Sequence, residues 1–323
     1  MLRRSICTGG MRKMRPVVSV VITSDYASGK PAGWRDVRST LAGLARQDFR
    51  EPAEFLLLET PDVAAQMPAD LLAILPSLRV VTVPAASANE LKNAGARAAA
   101  SDFVALLDAD CRPVPGWLRS LVTALRDHPD VAVVSGRTAY GTQTLLDRVM
   151  ALVTRSFLDE GRTAPTRHVT INNAGFRRSV LLAHPLPEVA GPHMSMLQSE
   201  AVARDGGRFL FEPGMYVTHT YEGWEMEKEI RTSMGYGVIR VRRLDPQMPY
   251  ARLARLGYLS VALFIVLRTL HSCWNCLRRA DAYQVAWYEL PVAFGLAAAA
   301  CAMEAPGMLR AVRDLPPEAT EFR

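Results

Sequence analysis

Cysteine is scarce in this chain. The five residues, at positions 7, 111, 273, 276 and 301, are too few and too scattered for a disulfide framework, which points to a reducing compartment. Cys273 and Cys276 form a lone CxxC with only His271 nearby. A zinc site needs more ligands at suitable spacing, so ordinary semi-buried thiols are expected there. Strong charge of one sign is also missing. A formal charge of +6 over 323 residues, with a pI of about 9.2, is too weak and scattered for nucleic acid. It suits a phosphate-bearing ligand or an anionic membrane face. No uninterrupted apolar run approaches the ~20 residues that a spanning helix requires. The basic start, MLRRSICTGGMRKMRP, lacks the apolar stretch of a signal peptide and reads as a frayed tail over residues 1–15. Internal repeats are absent, and the longest biased tract is Ala297–Ala300.

What the chain does have is apolar patterning: hydrophobic residues make up 49% of it, enough for a sizeable core. "VVSVVIT" (17–23), "EFLLLE" (54–59), "LRVVTV" (78–83) and "FVALLD" (103–108) are runs with little polar alternation. Such runs mark strands covered on both faces, as in parallel sheets. Helical spacing separates them, at 34–47 and at 89–100, where Asn89 is the expected cap. The alternation predicts a doubly wound α/β sheet. Beyond it, the pattern predicts a helix from Trp117 to about residue 128, a strand at 131–136 and a helix at 145–160. Residues 168–181 read as strand, loop and helix. Two short strands around a Pro-Gly turn are expected at 207–221.

The composition shifts after residue 230. Nine arginines and a single acid, Asp245, fall between Arg231 and Arg279. Two uncharged stretches follow, Leu256–Leu267 and Leu290–Met303, each too short to span a membrane alone. Basic flanks around apolar runs predict an interfacial or re-entrant membrane anchor rather than a plain helical hairpin. The Gly235–Gly237 "GYG" is expected to break a helix.

The fourth apolar run ends in Asp108-Ala109-Asp110. Ligands of doubly wound sheets bind beyond the carboxyl ends of strands. Two carboxylates there are costly unless something cationic accompanies them. Asp-X-Asp can hold a hard divalent ion whose shell is completed by substrate phosphates.

"ELKNAGARAAASDFVALLDADCRPVPGWL" resembles the core of the family 2 glycosyltransferases: a basic residue, Asn and Gly on a helix, an apolar strand, Asp-X-Asp, then Pro and Gly-Trp-Leu. "VVSVVIT", "INNAGFRRSVL" and "GGRFLFEPGMYVTH" are similar to flanking family segments, so the resemblance runs from about Val17 to Tyr221. It implies a GT-A fold over residues 16–228, followed by a membrane-associating helical region over 229–323. It also implies inverting transfer of a sugar from a nucleotide-diphospho-sugar donor to a glycan or lipid-linked acceptor. The metal would be Mg²⁺ or Mn²⁺, and the location the cytoplasmic face of the cell membrane.

Matched residue by residue, the resemblance makes Asp108, Asp110 and His219 the metal-site candidates. Lys92 and Asn93 match the basic-Asn pair near the diphosphate. Thr23, Asp25 and Glu59 stand where the nucleobase and ribose are held, and Asn172, Asn173 and Arg177 match the segment near donor and acceptor. Glu200 is the best-placed carboxylate for the base, although the family's Glu-Asp pair is incomplete here. Trp117 is expected to pack in the core beneath the loop. Two rival readings are a non-catalytic nucleotide- or glycan-binding member of a membrane complex and a sugar nucleotidyltransferase. The latter wants a Gly-rich basic loop after the first strand, which "TSDYASGKPAGWR" fits poorly.

Overall fold

The computed structural model describes residues 15–24, 31–84, 87–141, 144–167, 169–188, 193–219 and 223–318. The expected basic tail, apart from Arg15, and the candidate Asp25 lie outside them. Four β-branched and leucine-rich strands form the parallel part of the sheet: β1 (Val18–Thr23), β2 (Ala53–Glu59), β3 (Leu78–Thr82) and β4 (Phe103–Asp108). Their crossovers contain α1 (Pro31–Ala45), the single turns α2 (Pro61–Ala64) and α3 (Leu71–Ile74), and α4 (Ala88–Ala98). Five further strands follow: β5 (Cys111–Pro113), β6 (Val131–Tyr140), β7 (Ala164–Pro165), β8 (Asn173–Arg177) and β9 (Arg208–His219). The sheet runs β3-β2-β1-β4-β8-β6-β9-β5, with β7 on β9.

Side-chain alternation along β1 assigns the two faces. Val18, Val20 and Ile22 pack with Trp34, Val37 and Leu41 of α1 and with Trp117, Leu118 and Leu121 of α5 (Trp117–Asp127). Val21 joins Leu91 of α4 on the other face, with Leu181 of α7 (Arg178–Ala183) and Val202 of α8 (Ser195–Arg204). Both faces of the sheet are therefore covered, as continuous apolar strands require. Gly95 explains the close seating of α4: a Cβ there would lie 2.3 Å from Val21 Cγ1.

Several elements depart from the sequence expectation. Ser87, not Asn89, caps α4, through a reciprocal capping box with Glu90. The Asn89 amide instead donates to the Pro187 carbonyl (2.8 Å). The helix expected to reach residue 160 ends earlier, as α6 (Leu145–Arg155) and a short 3₁₀ turn. The strand expected before the Asn pair begins at Asn173, with α7 directly after it. Residues 208–219 form one strand rather than two. The register jumps from Gly136↔Glu212 to Arg137↔Tyr216, and the Gly214 amide donates to Glu212 Oε1 (2.8 Å). Pro213 and Gly214 thus make a bulge, not a reversal.

The arginine-rich region begins with α9 (Trp224–Leu244), so a boundary at residue 228 would fall inside a helix. Gly235 does not break it. A Cβ at Gly235 would meet the Glu304 carbonyl at 1.9 Å, and one at Gly307 the Thr232 carbonyl at 1.8 Å. These glycines allow a close crossing of α9 with the last helix. After α9 come α10 (Tyr258–Arg279), α11 (Leu290–Met303) and α12 (Ala305–Val312). The first uncharged run lies mostly within the longer α10, and the second is α11 itself. Tyr258–Arg279 and Trp287–Val312 contain 18-residue windows of mean hydropathy 1.3 and 1.5, and both are long and apolar enough to cross a membrane. Cys276, with Cys273 packed beside it, lies in an apolar cluster of α6, α10 and α11, as ordinary thiols would.

Candidate functional site

The site forms where β1 and β4 end side by side, with Thr23 paired to Asp108 in the register. β2 and β3 lie to one side of β1 and β8 lies beyond β4, so the order switches at this crevice. The turn after β4 is anchored from α1: the Thr40 hydroxyl donates to the carbonyls of Ala109 (2.7 Å) and Cys111 (3.0 Å). β5 then pairs antiparallel with β9, setting Cys111 opposite His219. β9 in turn sets His219 opposite Tyr140 at the end of β6. Three distant segments thereby converge on Asp110.

The two aspartates have different partners. Asp108 Oδ1 is held by Lys92 Nζ at 2.6 Å and by the Thr23 hydroxyl at 3.2 Å, all largely buried. Burial pushes the Asp108 carboxyl up, Lys92 opposes that, and the neighbouring Asp110 adds to it. Asp110 Oδ2 lies 2.5 Å from His219 Nε2. Burial alone would push Asp110 up, but the charge and hydrogen bond of His219 outweigh it and hold the carboxyl well below the usual range. Its other oxygen, Oδ1, is buried without a hydrogen-bond partner among the described residues. A buried bare acceptor is costly, and a cation is the simplest group to satisfy it.

Ligand atoms of Asp110, Cys111 and His219 lie within 4.8 Å of one another. The carboxylate fits a hard ion such as Mn²⁺ or Mg²⁺ with phosphate oxygens completing the shell, whereas imidazole and thiol suit softer ions. Asp108, expected as a further metal ligand, lies outside this cluster and is paired with Lys92.

Other expected residues are divided. Glu59 is fully buried at the end of β2 and Thr23 at the end of β1, on the crevice side. The Asn172 carbonyl accepts from the Asp108 amide (3.1 Å), and its Oδ1 is buried without a partner among the described residues. Lys92 and Asn93 both turn inward. Asn93 exchanges two hydrogen bonds with the Leu186 backbone (2.8 and 2.9 Å), so it ties down a neighbouring loop. Asn173 is a buried clamp: it accepts from the Trp117 indole (2.8 Å) and donates to the carbonyls of Arg137 and Met215. Trp117 is completely buried, as expected of a core residue.

Arg177 is not brought to the site. β8 is antiparallel to β4, so Arg177 pairs with Phe103, five residues and about 16 Å from Asp108. Its guanidinium instead donates to the carbonyls of Val131, Leu125 and His128. Glu200 sits half-buried within α8, without an ion-pair partner among the described residues.

Sequence reasoning missed four residues around Asp110. The Cys111 thiol hydrogen-bonds to its carboxylate. Tyr140 stacks edge-on with His219, ring centres 5.5 Å apart. The Arg155 guanidinium sits 5.5 Å over the Tyr140 ring. Burial would lower its pKa, but Tyr140, Cys111 and Asp110 outweigh that and keep it charged. Asp36 of α1 is raised by burial and by the Asp110 charge. Cys111 was legible as the neighbour of Asp110. The other three carry no local signal, because only the β5-β9-β6 pairing and the packing of α1 and α6 bring them in.

The Glycosyl transferase family 2 model matches residues 85–183, which hold α4, β4 and Asp108–Asp110. Over these residues the chain is similar to glycosyltransferase family 2. The pre-mycofactocin glycosyltransferases of two Mycobacterium tuberculosis strains, CDC 1551 and H37Rv, are each 33% identical over 140 residues. That is 40% of this chain and 29% of the relatives, so the chain matches under a third of their length. Among solved structures, the mannosyltransferase PcManGT from Pyrobaculum calidifontis, in complex with GDP-Man and Mn²⁺, is similar over 94% of this chain and 88% of its own. The TM-score is 0.57 at 16% identity. S. aureus TarS 1-349 in complex with UDP-GlcNAc is similar over 93% and 92%, with a TM-score of 0.50 at 13% identity. These likenesses show a GT-A fold.

Proposed function

We propose that this chain transfers a sugar from a nucleoside-diphosphate sugar to a glycan or lipid-linked acceptor, with inversion at the anomeric carbon. The observation that carries this is the buried, partnerless Oδ1 of Asp110 beside His219, at the carboxyl end of the switch-point strands. Asp110 and His219 would hold Mn²⁺ or Mg²⁺, which when bound neutralises charge on the departing diphosphate. The bound metal in the similar mannosyltransferase structure supports the ion class. Lys92 pairs with the buried Asp108 and so holds the tip of β4 in place. Arg155 adds a fixed positive charge behind the site. Thr23, Glu59 and Asn172 line the crevice where the nucleoside would lie. Glu200 remains the proposed base: it would take the acceptor hydroxyl proton as that oxygen attacks the anomeric carbon and the diphosphate leaves from the opposite face.

The proposal divides the chain into a transfer domain through about residue 223 and a membrane-facing helical region that begins with α9. It places the protein on the cytoplasmic side, in keeping with its sparse free thiols. The test is sugar release or transfer from UDP- and GDP-sugars with Mn²⁺ or Mg²⁺. Activity is expected in the wild type and lost in Asp110→Ala and Glu200→Gln. Nucleotide binding without turnover across the donor panel would favour the non-catalytic reading, and pyrophosphate release from a nucleoside triphosphate the nucleotidyltransferase.

A further inference from the structure

α10 is two-faced. Val261, Phe264, Asn275 and Cys276 are buried against the rest of the chain. Midway along, Arg268 makes a two-pronged pair with the fully buried Glu304 (2.6 and 2.8 Å), which also meets Arg231 of α9 at 3.4 Å. The helix is therefore clamped lengthwise to the domain. Its other face exposes Leu259, Val266, Leu270, Trp274 and Leu277, each more than half accessible. Their spacing of seven, four, four and three residues makes one continuous stripe. Just past the helix, Trp287 and Tyr288 are 80% and 66% exposed. The Arg148–Glu289 pair (2.9 Å) ties this segment to α6, whose Leu145 and Leu146 are exposed. A long apolar stripe with aromatic residues at one end suits a helix lying in a membrane interface.

That end of the stripe opens into a cleft of about 480 Å³, lined by Glu160, Gly161, Arg162, Ala164, Arg278 and Arg279. Three arginines face one glutamate, and that glutamate is already engaged by Arg279 at 3.1 Å. Arg162 and Arg278 are exposed and have no ion-pair partner among the described residues. Arg278 lies four residues after Trp274, on the same helical face. Gly161 has φ +75°, and a Cβ there would come within 2.8 Å of Arg279 Nη1. The backbone turn thus draws the loop against the arginines and forms the cleft wall.

We propose that this cleft binds the phosphate of an anionic phospholipid whose acyl chains lie along the exposed stripe of α10. The proposal rests on the membrane-facing role of these helices and not on the transfer chemistry. It gives the helices an orientation, with α10 lying in the interface and its carboxyl end at headgroup depth. Each arginine near an anionic surface contributes roughly a fivefold preference, so losing both cleft arginines should be plainly measurable.

The test is flotation of the full chain with vesicles of phosphatidylcholine alone or mixed with phosphatidylglycerol. Wild type should partition at least about tenfold better into the anionic vesicles. R162A/R278A should lose most of that preference and retain the weaker binding to neutral vesicles. R162K/R278K should keep the preference, and it guards against misreading a folding defect in the alanine variant. L270S/W274S should weaken binding to both vesicle types. Inorganic phosphate, added at constant ionic strength, should leave the partition unchanged. Displacement by it would make the cleft a site for free phosphate and overturn the headgroup assignment. Equal binding of wild type to both vesicle types, or unchanged anionic preference in R162A/R278A, would also overturn it. Failure of wild type to bind any vesicle would instead remove the membrane reading itself, whatever the outcome of the transfer assays.

Discussion

The two ends of the central strands treat polar groups in opposite ways. At the amino ends of β1 and β4, partners are abundant. The Ser19 hydroxyl donates to Glu54 Oε2 (2.7 Å) and lies 3.0 Å from the Ser101 hydroxyl. Glu54 also accepts from the Ala100 amide (2.9 Å) and from Arg79 (2.9 Å). At the carboxyl ends, Ser24 Oγ, Asp110 Oδ1, Thr170 Oγ1 and Asn172 Oδ1 are buried without hydrogen-bond partners among the described residues. Burial would raise Glu54, but its hydrogen bonds lower it overall; at the other end burial and Asp110 raise Asp108 despite Lys92, while His219 lowers Asp110. Among the described residues, one end is satisfied by the fold itself. The other keeps buried acceptors without partners among the described residues, and such acceptors are a better guide to a candidate site than a charge count.

The comparison can be broken most forcefully at Asp110. Asp110→Ala should cost at least a hundredfold in sugar transfer, by analogy with losing one group that stabilises developing charge. Urea stability should stay within about 1 kcal/mol of wild type, because a costly bare oxygen is removed along with the ion pair. A large stability loss with little change in transfer would mean that both ends serve the fold.

Lys92 is the next test. Lys92→Met leaves Asp108 as a buried carboxylate without its cation, which should cost about 3–5 kcal/mol. Lys92→Met with Asp108→Leu removes both charges and should recover most of that loss in urea unfolding. If the double variant is no more stable than Lys92→Met, the pair does not act as a unit.

Much of this was legible before any coordinates. Continuous apolar runs identify β1 to β4, because strands buried on both faces need no alternation. Asp108-Ala109-Asp110 announces the site, because carboxylates directly after such a strand require compensation. Burial of the compensating groups was not legible. The spacing of Lys92 and Asn93 is the same whether they face a diphosphate or the interior, and only α4 seated against β1 turns them inward. Arg177 misleads for a similar reason: β8 runs antiparallel, so four residues separate an inward clamp at Asn173 from the opposite end of the sheet. Tyr140 and Arg155 reach Asp110 through tertiary pairing that no local period encodes.

Gly95 tests how tightly that seating is specified. Gly95→Ala gains helix propensity, but its Cβ would lie 2.3 and 2.8 Å from the two Val21 methyls. The clash should dominate and destabilise by about 1–3 kcal/mol. Gly95→Ala with Val21→Ala should recover part of that loss. A stabilised single variant would show that α4 can shift outward freely, and then Lys92 would not be fixed on Asp108.

The smallest effect belongs to the amino end. Glu54→Gln keeps the shape but weakens charge-assisted hydrogen bonds to Ser19, Ala100 and Arg79, so about 1 kcal/mol is expected at neutral pH. The sign of its pH dependence follows from the lowered carboxyl. Below its folded value Glu54 is protonated in both states, so its extra stability is present above the ordinary value of 4.5 and fades as pH falls through the depressed folded one. The stability gap between wild type and Glu54→Gln, measured by urea unfolding from neutral pH downward, should therefore hold to about pH 5 and then shrink. A gap that instead widens on acidification would mean that Glu54 is strained by burial as Asp108 is, and the contrast between the two ends of the sheet would disappear.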